Sequence, residues 1–235
     1  MMRFAAFLVA LCLVPATMAT AQLLLPQPEL RVLKDCETCP ELVILPDGMY
    51  MSRAPVTLAE FRAFAEATNY VNRGWGCKWN RPHFPQEDNH PAVCLTYQGA
   101  VAYADWLTET TGQTYRLPKA SELTYAVMGF EKTNYWWGQQ IGRDRANCLG
   151  CGRPLDAVGT TAVDTYPPNP FNVLDAVGNV WIWTSDCKSA ACEERVLMSG
   201  SWSSPPSDLR MTKRISNAPN VPFNTYGMRV VREQE

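Results

Sequence analysis

Three stretches of the chain repeat their apolar residues at helical spacing. From Thr57 to about Asn69, the residues Leu58, Phe61, Phe64 and Ala65 share one stripe, and Thr57 with Glu60 three positions later forms a capping-box signature. The pattern predicts a helix there. A second helix is predicted from Thr96, with Tyr97, Ala100, Val101, Ala104 and Leu107 on one face and Gly112 as its stop. A third follows Tyr115-Arg116-Leu117-Pro118, runs from about Lys119 to Met128 and halts at Gly129. All three stripes read as core surfaces. Period-two signals are shorter. Glu41 to Gly48 reads as a strand running into a turn, and Val180 and Ile182 alternate with Trp181 and Trp183 as a strand with two different faces. Arg195-Val196-Leu197-Met198 resumes an apolar run beyond a polar loop bracketed by Cys187 and Cys192. Beyond Gly129 helical periodicity gives way to turn-rich aromatic segments such as Tyr135-Trp136-Trp137-Gly138 and Tyr166-Pro167-Pro168-Asn169. Eighteen prolines and eight tryptophans fit loops held by aromatic packing rather than by long regular elements.

The first 21 residues carry a different pattern. Arg3 supplies a positive start, Phe4 to Val14 an apolar centre, and Ala19-Thr20-Ala21 a small-residue cleavage site, so residues 1–21 read as a secretory signal and residues 22–235 as the exported domain. The apolar run is short for a bilayer span, and no cysteine follows the cut to carry a lipid, so no membrane anchor is expected. Leu23 to Lys34 reads as an extended, Pro-containing leader. The formal net charge of −2 becomes −3 without Arg3, and no basic stripe is present, which argues against nucleic acid as a partner. The expected location is periplasmic or secreted.

Export changes the reading of the cysteines. With Cys12 inside the signal, eight remain and fall into four close pairs: Cys36 and Cys39, Cys77 and Cys94, Cys148 and Cys151, Cys187 and Cys192. In an oxidising compartment such pairs read as disulfides before they read as zinc ligands. Sequence order alone suggests that Cys77 joins Cys94. The two C-x-x-C pairs leave a redox role open.

Three ordered blocks near the C-terminus carry more specific information. G-N-V-W-I-W-T-S-D (Gly178 to Asp186), R-V-L-M-S-G-S-W (Arg195 to Trp202) and Y-G-M-R-V-V-R (Tyr226 to Arg232) resemble the C-terminal signature of the formylglycine-generating-enzyme (sulfatase-modifying-factor) family, whose usual forms are G-N-V-W-E-W, R-G-G-S-W and G-F-R. R-L-P-K-A-S-E-L-T-Y-A resembles the family's R-L-P-T-E-A-E-W-E-Y-A, and D-C-x-x-C-P at Asp35 to Pro40 matches as well. The resemblance covers most of residues 35–232. It implies an α+β, variant C-type-lectin-like fold with few strands, two or three helices and much ordered loop. Because Met51-Ser52-Arg53 runs almost directly into the first helix, part of the usual N-terminal sheet is expected to be missing.

The same resemblance directs attention to possible sites. The family's namesake activity oxidises a substrate cysteine to formylglycine with O2, on copper(I) held by two cysteine thiolates, the soft ligands that ion prefers. Their positions fall on Ser204 and Leu209 here, so copper is not expected. Some relatives use histidine-bound iron. His83 and His90, with Glu87 or Asp88, are the sole material for such a site, and the H-P-A-V-C segment resembles one whose histidine is structural. Structural Ca2+ is implied at Asn147 and Asp156 with the backbone at Cys148 and Ala157, and again at Asp175, Gly178 and Val180, although Ile182 replaces the carboxylate that normally completes the second cage. Ser201, Ser203, Ser204 and Ser207 lack a G-x-S-x-G context and read as turn residues. Arg210, Lys213, Arg214, Arg229 and Arg232 either line a peptide cleft, as arginines do in relatives, or form a network with acidic residues around the C-terminal strands.

The expectation is an exported peptide- or protein-binding or enzyme-maturation accessory, with Trp202, Ser204, Arg210 and Arg214 facing an exported partner. The alternative is an enzyme of altered oxidative chemistry, a metal-dependent oxidoreductase acting on a peptide or a small metabolite.

Overall fold

The computed structural model describes residues 31–72, 76–152 and 159–234, so the signal reading of residues 1–21 and the positions of Asp156 and Ala157 lie outside the described residues. The helices stand where the apolar stripes put them. Helix α1 (Leu58–Thr68) is entered through Thr57, whose side chain accepts from Glu60 N while Glu60 Oε2 accepts from Thr57 N at 2.7 Å, and it ends on Asn69 in the left-handed conformation. Helix α2 (Tyr97–Thr111) is capped by Thr96 and closed by Gly112 at φ 74°. Helix α3 (Ala120–Met128) ends on Gly129. Its first N–H groups are met from two directions: Glu122 Oε2 accepts from Lys119 N, and Asp186 Oδ2, from a distant strand, accepts from Ala120 N.

Two small sheets hold these helices. Strands β1 (Val32–Leu33), β2 (Leu42–Ile44), β3 (Tyr50–Ser52), β4 (Tyr115–Arg116) and β9 (Val231–Arg232) form one, in the order β1-β2-β3-β9-β4 with antiparallel pairing throughout. Strands β5 (Trp181–Cys187), β6 (Arg195–Met198), β7 (Arg214–Asn217) and β8 (Tyr226–Gly227) form the other, in the order β7-β6-β5-β8, with β5 and β8 parallel. The expected loss of N-terminal sheet is therefore corrected. The segment before α1 is itself strand β3, paired on one side with β2 and on the other with the C-terminal β9. Its three residues give too few alternations to be read as a strand.

The core divides around β5, as its alternation requires. Val180 and Ile182 face one cluster with Leu123, Val127, Phe171 and Leu209, whereas Trp181 and Trp183 face another with Phe61, Tyr103 and Leu107. Trp183 is fully buried and its indole Nε1 donates to Leu95 O at 3.0 Å, which satisfies its one polar atom. The four expected disulfides are present, with Cα separations of 5.0, 5.4, 5.3 and 4.8 Å in chain order, and they include Cys77–Cys94. Among the described residues no helix is long and apolar enough to cross a membrane.

Candidate functional site

The segment between β6 and β7 carries the residues of interest. Ser199 and Gly200 both have positive φ, so the chain turns sharply out of β6. Gly200 is required there: a Cβ would stand 2.8 Å from Leu209 Cδ1 and 3.0 Å from Asp208 O. Gly178 is constrained on the other side, since a Cβ would lie 2.6 Å from Asn147 O and 3.2 Å from Leu209 Cδ2. Leu209, fully buried, is thus wedged against both glycine turns and belongs to the core. Ser204 is also buried. Its Oγ accepts from Ser201 N at 3.0 Å and lies 3.1 Å from Ser201 Oγ, while its carbonyl accepts from Leu149 N. The two positions at which the resemblance expects thiolates therefore hold a turn-stapling hydroxyl and a core aliphatic. That donor set does not fit copper(I), a soft ion that takes sulfur.

Trp202 sits one step from this staple, half-buried. Its N–H donates to Asn179 O, its indole donates to Asn224 O at 3.0 Å, and its ring meets Phe84 edge-on with centroids 5.5 Å apart. Two exposed apolar side chains are tied into the same region. Leu149, 46% exposed, is hydrogen-bonded through its backbone to Ser204, and Phe223, 45% exposed, adjoins the Asn224 carbonyl that holds the indole.

The arginines separate into two groups. Arg210 is exposed, and its charge and hydrogen bonding oppose the upward push that burial gives Tyr135, whose hydroxyl donates to Pro206 O at 2.7 Å. Arg214 is exposed on β7 and reaches Thr124 on α3. Arg229 is fully buried and Arg232 pairs with Asp35 at 2.9 Å while lying over the Tyr50 ring. Pairing with acidic residues is seen for Arg232 and for Lys213, which meets Asp208 at 3.1 Å, whereas Arg229 donates to backbone carbonyls.

Arg229 anchors a buried polar region. Its guanidinium donates to Ser52 O at 3.1 Å, Arg53 O at 3.2 Å, Asp175 O at 2.9 Å and, in a short contact, Leu174 O. The side chains of Asn147 and Asp175, assigned by resemblance to separate calcium cages, are drawn into one network through Asn179. Asn179 Oδ1 accepts from Asn147 Nδ2 at 3.2 Å and from Thr161 N at 3.0 Å, and Asn179 Nδ2 donates to Asp175 Oδ2 at 2.8 Å and to Thr161 O. Burial pushes the Asp175 carboxyl up to about 7, against the pull of the Asn179 hydrogen bond and the Arg229 charge. Burial also depresses Arg229 to about 10, with Asp175 opposing. Asp175 Oδ1 has no hydrogen-bond partner, which leaves one hard oxygen for a cation, while Ile182 is buried in the core and offers none. The importance of Asn179 and Arg229 was hidden in the sequence. Each has a motif position, G-N-V-W and the family's G-F-R, but the partners they join are scattered along the chain.

The histidines stand in a loop whose polar groups are bonded within the protein. His90 Nδ1 lies 3.0 Å from Thr160 Oγ1, its carbonyl accepts from Leu58 N, and Asp88 pairs with Arg62 at 2.7 Å while its carbonyl accepts from Ala59 N. This loop holds the start of α1. Among the described residues no three His, Cys, Asp or Glu side chains converge as metal ligands.

A family model described as sulfatase-modifying factor enzyme 1-like domain matches residues 15–234. The serine/threonine-protein kinase pkn1 of Chlamydia pneumoniae is 32% identical over 166 residues, which cover 63% of this chain and 25% of that protein. The formylglycine-generating enzyme of Mus musculus is 27% identical over 189 residues, covering 60% of this chain and 49% of that one. This chain thus spans half or less of these two curated relatives. Among solved structures, PvdO from Pseudomonas aeruginosa superposes with a TM-score of 0.78 at 27% identity, covering 87% of this chain and 98% of that one.

Proposed function

This chain belongs to the family of sulfatase-modifying factor enzyme 1-like domains, and from that premise we propose that it acts as an exported peptide- or protein-binding accessory in the maturation of another exported protein, without formylglycine-generating oxidation. The observation that carries this reading is the replacement of both thiolate positions inside an otherwise intact scaffold. Ser204 staples its own turn and Leu209 fills the core, so neither position offers a thiolate, which supports a role without that oxidation. That region offers the half-buried Trp202 as an aromatic anchor, with the exposed Leu149 and Arg210 on segments bonded to or continuous with the same turn. Four disulfides and the signal-like start support a periplasmic or secreted location.

The test uses the full mature chain and an array of extended peptides, with binding followed by fluorescence anisotropy. A saturable peptide ligand is expected, weakened by about tenfold in Trp202→Ala, since losing a central aromatic anchor costs ~1–2 kcal/mol or more. Arg210→Ala should weaken peptides that carry a carboxylate and spare those that do not. Equal binding by wild type and both variants sinks the proposal. So does stoichiometric copper or iron in protein purified without chelators, which would favour the altered oxidative enzyme instead. A structural Ca2+ at Asp175 belongs to the same reading. Its unpaired Oδ1 supports it, and a Ca2+-dependent rise in melting temperature that Asp175→Asn abolishes is the expected result.

A further inference from the structure

The outward face of α2 and the C-terminal end of α1 enclose a second site, unconnected to the turn at Trp202. A groove of about 830 Å3 lies there, within the size range of small-ligand pockets. Tyr70 and Trp106 supply aromatic surface over the buried Phe64, Val71, 71% exposed, stands at the rim, and Asp105 and Glu109 supply carboxylates. Among the described residues no lysine or arginine lines it.

Sequence explains how the groove is built. Gln98, Ala102, Asp105, Trp106 and Glu109 follow one helical stripe of α2, turned away from the core stripe that holds Ala100, Tyr103, Ala104 and Leu107. Tyr70 follows the left-handed Asn69 cap of α1 and lies across the start of α2, where Gly99 leaves room for it: a Cβ at Gly99 would stand 2.2 Å from Tyr70 Oη. The aromatic surface is fixed from below by contacts of Phe64 with Tyr70 at 5.1 Å and with Trp106 at 5.7 Å between centroids. Ala102, small and at the centre of the stripe, leaves space between the rings and the acids.

The charges choose the occupant. Asp105 and Glu109 are four residues apart on one helix, an arrangement of like charges that disfavours the helix, and neither forms a salt bridge among the described residues. Aromatic faces and unpaired carboxylates together attract a cation that carries apolar surface. We propose that this groove binds a small organic ammonium ion, its charged head between the Tyr70 and Trp106 rings and the two carboxylates, and its apolar body toward Val71.

Choline and its neutral isostere 3,3-dimethylbutan-1-ol are suitable probes, because they share a shape and differ in charge. Titration of the full mature chain with each, followed by ligand-observed NMR, is expected to give saturable binding of choline and at least about tenfold weaker binding of the alcohol. The double variant Asp105→Asn/Glu109→Gln, on an exposed helix face, should fold normally and lose about five- to tenfold in choline affinity. Trp106→Leu should do the same without changing binding at the Trp202 turn. If that variant fails to fold, the carboxamide pair decides. Equal binding of the two probes, no saturation by choline, or an unchanged affinity in the carboxamide pair would each overturn the assignment.

Discussion

At the scale of single residues, the structure turns identities into constraints. Leu209 is the clearest. Fully buried and wedged against the Gly178 and Gly200 turns, it leaves a cavity if shortened. Leu209→Ala is expected to cost about 2–4 kcal/mol in urea denaturation, the range for a buried leucine that leaves a cavity. Ser204→Ala should cost less, about 1–2 kcal/mol, because it leaves the buried Ser201 N–H without its acceptor. A reversed order would show that the turn, and not the core beneath it, fixes this region. Both substitutions at the thiolate positions were legible in the sequence, since a serine and a leucine declare their chemistry wherever they stand. The environment of Arg229 was not. Its guanidinium joins carbonyls of residues 52, 53, 174 and 175, and no local pattern announces that three separate segments meet on one side chain.

At the scale of elements, the caps decide what could be foreseen. Thr57 and Glu60 are three residues apart, so the box that starts α1 was readable, and Thr57→Ala should cost about 1 kcal/mol. Helix α3 is different. Its cap at Ala120 N comes from Asp186, 66 residues onward at the end of β5, and Asp186→Ala is expected to destabilise by a similar ~1 kcal/mol although nothing near α3 has changed. Thermal denaturation of the two variants compares a local cap with one delivered by the fold. The same helix carries a pH dependence. Burial raises the Glu122 carboxyl, but two hydrogen bonds from Arg116 and one from Lys119 N outweigh it and hold the group below its ordinary value of 4.5. A depressed carboxyl stabilises the fold above its unfolded value, and that contribution disappears as pH falls through the folded one. Because the pair is partly solvated, Glu122→Gln should lose only about 0.5–1 kcal/mol at pH 7, and the gap between variant and wild type should close in strong acid. A gap that stays constant from pH 7 to pH 3 would mean that the amide has disturbed the start of α3 by another route.

At the scale of the whole molecule, closure is achieved by short strands far apart in sequence, and here the sequence said least. Strand β9 is two residues long and lies between β3 and β4, with Arg232 paired to Asp35, which also accepts from Tyr115 Oη at 2.5 Å. Two- and three-residue strands give no periodicity to read, which is why β3 was mistaken for a direct run into α1. The disulfides supplement this sparse sheet, and their loops differ in a way that can be measured. In the chain-entropy view a bridge stabilises by restricting the unfolded chain, and the effect grows with the loop it closes. Cys77 and Cys94 are 17 residues apart, against separations of three, three and five for the others. The double variant Cys77→Ser/Cys94→Ser should therefore lose about 3 kcal/mol, more than Cys36→Ser/Cys39→Ser. Both belong to denaturation series in oxidised protein, with wild type under reducing conditions as the common lower limit. The reverse order would assign the larger role to the bridge beside Asp35, where the N-terminal strands meet β9. Stability would then be set at the sheet's closure, and the loop between α1 and α2 would be secondary.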